Sequence, residues 1–484
     1  MDYLKFSYKY TIMSFNIIVA CCNKNGIGKD NTIPWFLSGE LKYFKYITTH
    51  TNTSIEKNVV VMGRKTWESI PEKNKPLDGR INIVLTKNSN YNVPEGVFTC
   101  GSLEEVFPLI KNIYNSSKKN VFLIGGGTLY KECIQKGLYS KIYLTKIYKT
   151  YECDVFFPEI PPELSIVSVS DFCEEKGIYY RKFVYGTNSN VWKNQEELQY
   201  ISCLNTIIKT GHQNIDRTGV GTYSLFGLTF KYDISKTFPL LTTKRMWVRA
   251  IFEELKFYLS GKTDNKILND KGITIWNGNT TREFLDKSGL NHYPTNDMGE
   301  SYGFNFRHYG AEYNTCKEDY YGKGFDQLSY VIDLIKNNPT SRRIIIDLWN
   351  GSTLHKAALP PCLCKYQFYV NTSENKLDLM IYLRSSDFFL ANNWNVCTGA
   401  FLVYMICHLE GIKYNPGVLT VVTGDTHIYM THIKQVEENI KRVPRPYPMM
   451  KVLNRHSDIM DFEFSDFELI GYEPYPNIKA KMAV

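Results

Sequence analysis

The chain has 484 residues, of which 43% are hydrophobic and 22% are charged, and its formal net charge is +8. This length is too great for one ordinary core and suits two or three domains of a soluble globular protein. No stretch approaches the ~18 apolar residues that a membrane-spanning helix needs, so we expect no membrane partner and a cytoplasmic location. The mild positive charge, without a concentrated Lys/Arg block, suits small anionic ligands at least as well as nucleic acid.

Residues 15–185 alternate short β-branched runs with helical stretches. NIIVACC, NVVVMG, INIVLT, NVFLIGG, KIYLTKIY and YYRKFVYG are typical of strands, and LSGELKYFKYIT, SLEEVFPLIKNIY and TLYKECIQKG of helices. Such alternation predicts an α/β domain with a mostly parallel central sheet. We place this domain at residues 14–187, after an N-terminal extension of residues 1–13.

A polar, turn-rich joint, GTNSNVWKNQ, follows the first domain, and we place a short linker at residues 188–195. From there, longer helices such as MWVRAIFEELKFYLSG and FDQLSYVIDLIKNN are combined with aromatic-rich strands such as RRIIIDLWN, KYQFYV and KLDLMIYLRSS. We therefore expect a second, α+β domain over residues 196–484.

Two strand-to-helix turns in the first domain are candidate anion sites. In VFLIGGGTLYKE, Gly125–Gly127 would offer backbone N–H groups and a helix N-terminus to a pyrophosphate, although glycine at such a turn is more often structural. In VVMGRKTWESI, Arg64 and Lys65 begin the next helix beside Thr66. Basic residues near a dinucleotide suit an adenosine 2′-phosphate, which favours NADPH over NADH.

The predicted helix in IPWFLSGELKYF carries one carboxylate, Glu40, within an otherwise apolar face. A lone glutamate on a helix is ordinarily a surface residue. A half-buried carboxylate beside a ligand is instead suited to acid–base chemistry, and the neighbouring motifs favour that interpretation.

Residues from about 15 to 186 resemble dihydrofolate reductase. NGIGKDNTIPW, MGRKTWESIPEKNKPLDGRINIVLT, IGGGTLYKE and DVFFPEI occur in that family's order and spacing. The resemblance implies hydride transfer from NADPH to dihydrofolate, with Glu40 binding the pterin and assisting its protonation. It also implies that Arg80 holds the glutamate α-carboxylate and that Thr145 orients Glu40 and the pterin.

The resemblance implies two ligand sites in this domain, one for folate and one for NADPH. The folate-binding residues are Ile18, Val19, Trp35, Glu40, Phe44, Ile70, Arg80, Ile124, Tyr130 and Thr145. The NADPH-binding residues are Ala20, Ile27, Gly28, Gly63, Arg64, Lys65, Thr66, Thr86, Lys87, Gly125, Gly126, Gly127 and Thr128. Gly101 stands where relatives often carry an arginine near the 2′-phosphate, so the preference for NADPH depends on Arg64, Lys65 and Lys87.

The stretch LPPCLCKYQFYV places Cys362 after two prolines and before a predicted strand. From the residues alone it is a nucleophile, one half of a metal or redox pair with Cys364, or a core residue. The twelve cysteines of the chain include no C-x-x-C pair and no nearby H-x-x-x-H, so we expect no metal site and free thiols.

Arginines are candidates for a phosphate site in the second domain. They occur as Arg217 in NIDRTGVG, Arg342 and Arg343 in PTSRRIIIDLWN, and Arg384 beside Ser385 in YLRSSD. Any one of them is ordinarily a solvated surface residue. Several guanidinium groups with a hydroxyl can instead bind a phosphate dianion through forked, charge-assisted hydrogen bonds.

Residues 196–484 resemble thymidylate synthase through these motifs together with TGDTHIYMTH and the terminal IKAKMAV. The resemblance implies that Cys362 attacks C6 of dUMP and that 5,10-methylenetetrahydrofolate is the cosubstrate. Glu254 and Tyr302 would organise water and proton transfers, and Asn395 would read the uracil edge. With Glu40 of the first domain, these are the catalytic residues that we expect.

The binding residues implied for the second domain fall into two groups. The dUMP site comprises Arg217, Arg342, Arg343, Cys362, Arg384, Ser385, Ser386, Asp387, Asn395, His427 and Tyr429. The folate site comprises Trp276, Asn277, Asp387 and Leu390. Arg342 and Arg343 would come from a partner subunit, so a homodimer through the synthase domain is expected.

Both resemblances in one chain match the bifunctional reductase–synthase family. The second half departs from the synthase pattern at Leu363, where a histidine is usual, at Leu383, where a glutamine is usual, and in the loop FFLANNWN. Loss of polar groups beside the pyrimidine would slow the chemistry, since each typically contributes ~1 kcal/mol or more. We predict two active enzymes. The alternative is an active reductase whose weak or inactive synthase half serves as a dimerisation scaffold or an RNA-binding regulator of its own mRNA.

Overall fold

The computed structural model describes residues 14–51, 56–114, 120–187, 190–215 and 219–481. The chain forms two compact units that divide between Trp192 and Lys193, within the segment where we place the linker. The N-terminal extension and Arg217 lie outside the described residues. No helix of the described ranges is long and apolar enough to cross a membrane.

The first unit contains eleven strands and four α-helices in its described residues. The strands are β1 (Phe15–Cys21), β2 (Gly26–Gly28), β3 (Val59–Gly63), β4 (Ile81–Leu85), β5 (Val97–Cys100), β6 (Val121–Leu123), β7 (Tyr139–Ile147), β8 (Val155–Phe156), β9 (Ser165–Val169), β10 (Cys173–Glu175) and β11 (Ile178–Gly186). The helices are α1 (Ser38–Thr49), α2 (Arg64–Ser69), α3 (Leu103–Tyr114) and α4 (Gly127–Gln135).

A central sheet with the order β10-β11-β7-β1-β6-β3-β4-β5 organises the first unit, and β9 pairs with β11. The strands from β7 to β5 are parallel, and β11 runs antiparallel to its neighbours, which confirms the predicted mostly parallel sheet. Side chains of β1 and β3 alternate between two apolar clusters, so the core lies on both faces of the sheet. The carboxyl ends of β1, β3 and β6 therefore meet at one edge, where ligands of such sheets bind.

The second unit contains eight strands and eight α-helices in its described residues. The strands are β12 (His212–Asn214), β13 (Thr222–Asp233), β14 (Ile345–Asp347), β15 (Leu363–Asn371), β16 (Lys376–Asp387), β17 (Asn415–Tyr429), β18 (Met449–Val452) and β19 (Phe467–Ile470). The helices are α5 (Gln195–Thr210), α6 (Val248–Leu259), α7 (Lys266–Asn269), α8 (Arg282–Lys287), α9 (Tyr302–Arg307), α10 (Gln327–Asn337), α11 (Asn392–Cys407) and α12 (Ile433–Ile440).

A six-stranded sheet, β12-β13-β17-β16-β15-β14, forms the second unit's centre, and all its pairs are antiparallel except β16–β17. Alternate residues of β16 differ in burial: Leu379 and Ile381 are buried, whereas Met380 and Tyr382 are exposed. The buried face packs against α11, which is apolar almost all round. The predicted α+β fold is confirmed, with one face of the sheet in the core and the opposite face open in the single chain.

The strand predicted from RRIIIDLWN is shorter than expected, because β14 covers only Ile345–Asp347. Arg342 and Arg343 precede it and are both exposed. The Arg343 backbone N–H donates to Ser341 Oγ, and the Ile345 N–H donates to the Arg343 carbonyl oxygen. These local bonds hold the segment in a turn, so the two arginines do not alternate across a sheet.

Two candidate active sites

A cavity of about 1440 Å³ lies at the carboxyl ends of β1, β3 and β6. Every predicted folate and NADPH residue lines it except Thr145, which is buried on β7 beside Ala20. Pockets for one drug-sized ligand are typically about 300–1,000 Å³, so this cavity suits two ligands side by side. Further lining residues, which the sequence did not indicate, include Leu37, Ser69, Leu77, Asn88, Leu129 and Val155.

Glu40 lies in the first turn of α1, where its carboxyl group lines the cavity. The helix starts here because the Glu175 carboxylate accepts hydrogen bonds from the backbone N–H groups of Ser38 (2.8 Å) and Gly39 (2.9 Å). Burial raises the pKa of Glu40 to about 7, while the Lys182 ammonium opposes that rise. A carboxyl group with a pKa near neutrality can both bind and release a proton under ordinary conditions.

Arg80 is held at the cavity wall by three contacts. Its Nη1 donates to Thr48 Oγ1 at 2.9 Å, and its Nε donates to the Asp78 carbonyl oxygen at 3.0 Å. Its guanidinium carbon lies 5.7 Å from the centre of the Phe44 ring. These contacts fix the plane of a guanidinium group that can bind a carboxylate as a fork.

The glycine turn after β6 is built for close backbone approach. Gly125 has a φ of +146°, a region that glycine alone adopts readily, and a Cβ there would come within 2.9 Å of Thr66 Cγ2. The Gly63 N–H donates to the Gly125 carbonyl oxygen at 2.9 Å, which joins this turn to the one after β3. A Cβ on Gly127, the first residue of α4, would meet Val155 Cγ1 at 2.6 Å.

These turns fit a dinucleotide. The α4 N-terminus faces the cavity beside Gly125 and Gly127, where a Cβ would come within 3.0 Å of Thr66 and of Val155, and this open backbone suits a pyrophosphate. Arg64 and Lys65 line the same cavity at the start of α2, where a further phosphate group would meet positive charge. Arg64 also forms an ion pair with Glu68 at 2.8 Å, so a phosphate would compete with that carboxylate.

In the second unit, Cys362 lies directly before β15 with its thiol half-buried. Its backbone N–H donates to Tyr302 Oη at 2.7 Å. Arg384 Nη2 lies 3.9 Å from Cys362 Sγ. The same guanidinium donates from Nη2 to the Pro360 carbonyl oxygen and from Nε to that of Pro361, both at 2.9 Å. A thiolate at Cys362 would therefore face an oriented positive charge.

Cys364 differs from Cys362 in its surroundings. It is buried, and its thiol lies 3.6 Å from the carbonyl oxygens of Pro361 and Cys362. Among the described residues, no group of three or more potential metal-ligating side chains occurs. The geometry thus favours an internal packing position for Cys364.

Glu254, on α6, is buried and accepts three hydrogen bonds. Its Oε1 accepts from the Tyr258 hydroxyl and from Trp276 Nε1–H, both at 2.8 Å, and its Oε2 accepts from Trp394 Nε1–H at 2.6 Å. Burial raises the pKa of Glu254, and the three donors oppose the rise. The Tyr258 ring stacks on Tyr302 with centroids 4.8 Å apart, which connects this carboxylate to the residue that contacts Cys362.

The sequence did not indicate two of these donors. Tyr258 follows Glu254 by one helical turn, so the i, i+4 spacing within α6 could have found it. Trp394 lies 140 residues away, and no local pattern joins it to Glu254.

The predicted nucleotide residues on β16, α11 and β17 lie on neighbouring elements, and Asp387 pairs with His427 across two of the strands. The Asp387 carboxylate accepts from the Leu390 N–H at 3.0 Å, and Asn395 Nδ2 donates to the Ala391 carbonyl oxygen at 3.1 Å. His427 Nδ1 lies 2.9 Å from a carboxylate oxygen of Asp425.

Other predicted residues of the second unit are placed as follows. The Tyr429 ring lies edge-on to His427 at 5.2 Å, and Asn277 Oδ1 accepts from Asn265 Nδ2 at 3.0 Å. Ser386 is almost fully buried and its Oγ accepts from Asn392 Nδ2 at 3.3 Å, whereas Ser385 is partly exposed. Adjacent strand residues point to opposite faces, so the Ser386 side chain points away from the face that carries Ser385. Only the backbone of Ser386 can therefore contact a ligand on that face.

The two leucines that depart from the synthase pattern lie opposite each other. Leu363 on β15 is the register partner of Leu383 on β16, and their exposed fractions are 2% and 0%. Both belong to the main apolar cluster of the second unit. The altered residues therefore form a packed apolar pair rather than an isolated gap in a polar site.

Comparison with known proteins agrees with this division. Residues 14–185 match the family model for dihydrofolate reductase, and residues 198–484 match that for thymidylate synthase. Fold, sites and matches together define a fusion of a reductase with a synthase.

Relatives match both halves at once. The chain is 41% identical to a bifunctional dihydrofolate reductase-thymidylate synthase of Zea mays, over 97% of each chain. It is 39% identical to that of Paramecium tetraurelia, over 98% of this chain and all of the relative, and 38% identical to that of Leishmania major, over 98% and 96%. The chain belongs to the bifunctional dihydrofolate reductase-thymidylate synthase family.

Proposed function

We propose that the first unit reduces dihydrofolate to tetrahydrofolate. The observation that carries this proposal is a single cavity that joins Glu40 to the glycine turn. Glu40 accepts hydrogen bonds from the pterin and holds the proton that N5 requires, while Arg80 binds the glutamate α-carboxylate. NADPH, when bound, supplies the hydride, and Gly125–Gly127, Arg64 and Lys65 hold its phosphates.

Consumption of NADPH by the purified chain tests this proposal. We expect oxidation that depends on dihydrofolate and is much faster with NADPH than with NADH. Oxidation that does not respond to dihydrofolate would contradict the assignment.

For the second unit we propose reductive methylation of dUMP to dTMP. The carrying observation is the half-buried Cys362 thiol beside the Arg384 guanidinium. Cys362 adds to C6 of dUMP, which makes C5 the nucleophile that accepts the methylene group of 5,10-methylenetetrahydrofolate. Transfer of hydride from the same cosubstrate releases dTMP and dihydrofolate, and dihydrofolate is the substrate of the first unit.

Incubation with 5-fluoro-dUMP and methylenetetrahydrofolate tests the synthase proposal, because the fluorine at C5 stops the reaction at the covalent stage. We expect the intact mass of the chain to rise by one nucleotide and one cosubstrate, and the Cys362→Ser chain to show no rise. Absence of the adduct in the unaltered chain would favour the scaffold alternative. The relatives, which carry both enzyme names over nearly the whole chain, do not support that alternative.

We further propose a homodimer through the second unit, in the cytoplasm. The open face of its sheet exposes large apolar side chains, including Phe226 (83%), Tyr369 (65%), Met380 and Tyr382. Several large apolar side chains exposed on one sheet are typical of protein–protein contact sites. In such a dimer, the exposed Arg342 and Arg343 would bind the phosphate at the partner's site. Binding of the chain's own mRNA is not part of this proposal.

A further inference from the structure

We propose that Trp394 is a positioning residue of the synthase reaction: its indole N–H holds the Glu254 carboxylate charged and correctly oriented. The inference rests on the proposed synthase function and assigns a role within that site. Trp394 belongs to the stretch FFLANNWN, in which this chain departs from the synthase pattern.

The two oxygens of Glu254 are held unequally. Oε1 has two donors, Tyr258 and Trp276, whereas among the described residues the only donor to Oε2 is Trp394, at 2.6 Å. Loss of the indole N–H would therefore leave Oε2 without a partner in a buried pocket. It would also free the carboxylate to rotate about its bond to Cγ.

The position of Trp394 is fixed by hydrogen bonds of the two residues before it in the first turn of α11. Asn393 Nδ2 donates to the Pro239 carbonyl oxygen at 2.9 Å, and its Oδ1 accepts from the Leu241 N–H at 3.3 Å. Asn392 Nδ2 donates to Ser386 Oγ at 3.3 Å. These bonds tie the start of α11 to β16 and to the segment before α6.

The same turn carries Asn395, which we expect to read the uracil edge. Asn395 follows Trp394 directly, so one rigid helical turn positions both the uracil reader and the donor to Glu254. The start of α11 is thus held by polar contacts, in which a side-chain N–H of each asparagine and of the tryptophan has a defined acceptor.

A buried carboxylate stays charged only if hydrogen bonds replace the water that it has lost. Burial raises the pKa of Glu254, and its hydrogen bonds to Trp276, Tyr258 and Trp394 lower it. Removing one donor moves Glu254 toward its protonated form at neutral pH. A carboxylate that must accept protons during the reaction would then work only at higher pH.

Trp394→Phe tests the inference because it keeps an aromatic ring and removes the N–H. We expect kcat for dTMP formation at neutral pH to fall about tenfold, the acid limb of the kcat profile to move up by about one pH unit, and the KM for dUMP to stay within about twofold. Trp276→Phe, which removes a donor to Oε1, should shift the acid limb in the same direction. A uniform loss at all pH values, with the limb unmoved, would overturn the proposal.

The matched control is Trp247→Phe. Trp247 is half-exposed and directly precedes α6, and it is not one of the hydrogen-bond donors to Glu254, so its variant should keep the unaltered profile. Reductase activity of the same chain should be equal in all variants and serves as a check that the protein is intact.

A double variant keeps the test decisive if Trp394→Phe also loosens the fold. If Trp394 acts through Glu254, then adding Trp394→Phe to Glu254→Gln should cause little further loss of kcat. Losses that multiply would overturn the proposal. Failure of the synthase assignment itself has a different signature, since the unaltered chain would then make neither dTMP nor the 5-fluoro-dUMP adduct.

Discussion

Glu40 and Glu254 are both carboxylic acids whose pKa is raised by burial, but their surroundings differ. Glu254 accepts three hydrogen bonds, whereas no described residue donates a hydrogen bond to Glu40, which lines an open cavity. Glu254 is therefore oriented by the protein alone. Glu40 must obtain its donors from a ligand, which suits a group that binds a pterin and handles its proton.

Replacing Glu40 by glutamine tests the reductase role. Glu40→Gln keeps the shape but cannot exchange a proton, so we expect kcat/KM for dihydrofolate to fall by about 10²–10⁴-fold. NADPH binding, followed by fluorescence, should change little. Equal loss of NADPH affinity would indicate damage to the cavity instead.

The same substitution should change how stability depends on pH. The folded pKa of Glu40, about 7, is raised from 4.5 by burial, so its favourable contribution is complete below about pH 4.5 and is lost as the pH rises through 7. In the ligand-free chain, Glu40→Gln should be more stable than the unaltered chain at pH 8, by on the order of 2 kcal/mol, and similar to it at pH 5. Thermal unfolding at both pH values measures this, with the exposed Glu95→Gln as control.

At this scale, nearly all of the residues that the sequence motifs predicted for the reductase do line its cavity, although these residues form only about half of the lining. The motifs missed Lys182, Tyr258 and Trp394, which act on the two glutamates from distant parts of the chain. Motifs report residues with a fixed local spacing. The charge and hydrogen bonds around a buried group depend on tertiary packing, which no local pattern encodes.

Among the elements, the glycine turn after β6 is more constrained than the end of strand β11. Gly125 combines a glycine-only φ with a close approach to Thr66. Gly186, at the end of β11, has room for a Cβ, whose nearest neighbours would lie 3.7 Å away.

Gly125→Ala should strain this turn and displace Thr66 from the cavity wall. We expect NADPH affinity to fall at least tenfold and the free energy of unfolding to fall by about 1–3 kcal/mol. Gly186→Ala is the matched control and should alter neither quantity measurably. Calorimetric titration with NADPH gives the affinity, and unchanged binding in Gly125→Ala would contradict the proposed phosphate site.

Introducing the usual histidine at position 363 alone should lower the stability of the protein. Leu363→His places an imidazole against Leu383 inside the apolar cluster, so we expect the free energy of unfolding to fall by about 2–4 kcal/mol. Urea unfolding measures this, with Leu453→His as a control at an exposed leucine. A variant that kept its stability and gained synthase rate would show that the pair is a defect rather than core.

Element types were predictable wherever periodicity was strong, as in α1, α3, α6 and α10. The exception is β14, where RRIIIDLWN has the composition of a longer strand. Its first residues instead form a turn, fixed by the Ser341 hydroxyl and the Arg343 carbonyl. Propensity alone does not reveal such side-chain and backbone bonds.

For the whole molecule, the two candidate active sites lie in separate compact units. Cys362→Ser should therefore abolish dTMP formation and leave the reductase rate unchanged. Loss of both rates would contradict this expectation and would show that the substitution at Cys362 also impairs the reductase unit.

Dimerisation gives a complementation test at this scale. Cys362→Ser and the double variant Arg342→Glu/Arg343→Glu should each lack synthase activity. Mixing and refolding equal amounts should restore about a quarter of the unaltered activity, because half the dimers are mixed and each mixed dimer has one intact site. No recovery, although mixed dimers are detected by mass, would contradict arginines supplied across the interface.

The facing leucines on β15 and β16 also constrain how this sequence can change. Each covers the other across two neighbouring strands, so a polar substitution at either position alone leaves an unmatched group in the core. A path from this pair to a polar pair therefore passes through an unstable intermediate. In related sequences, we therefore expect the residues at positions 363 and 383 to change together, either both apolar or both polar.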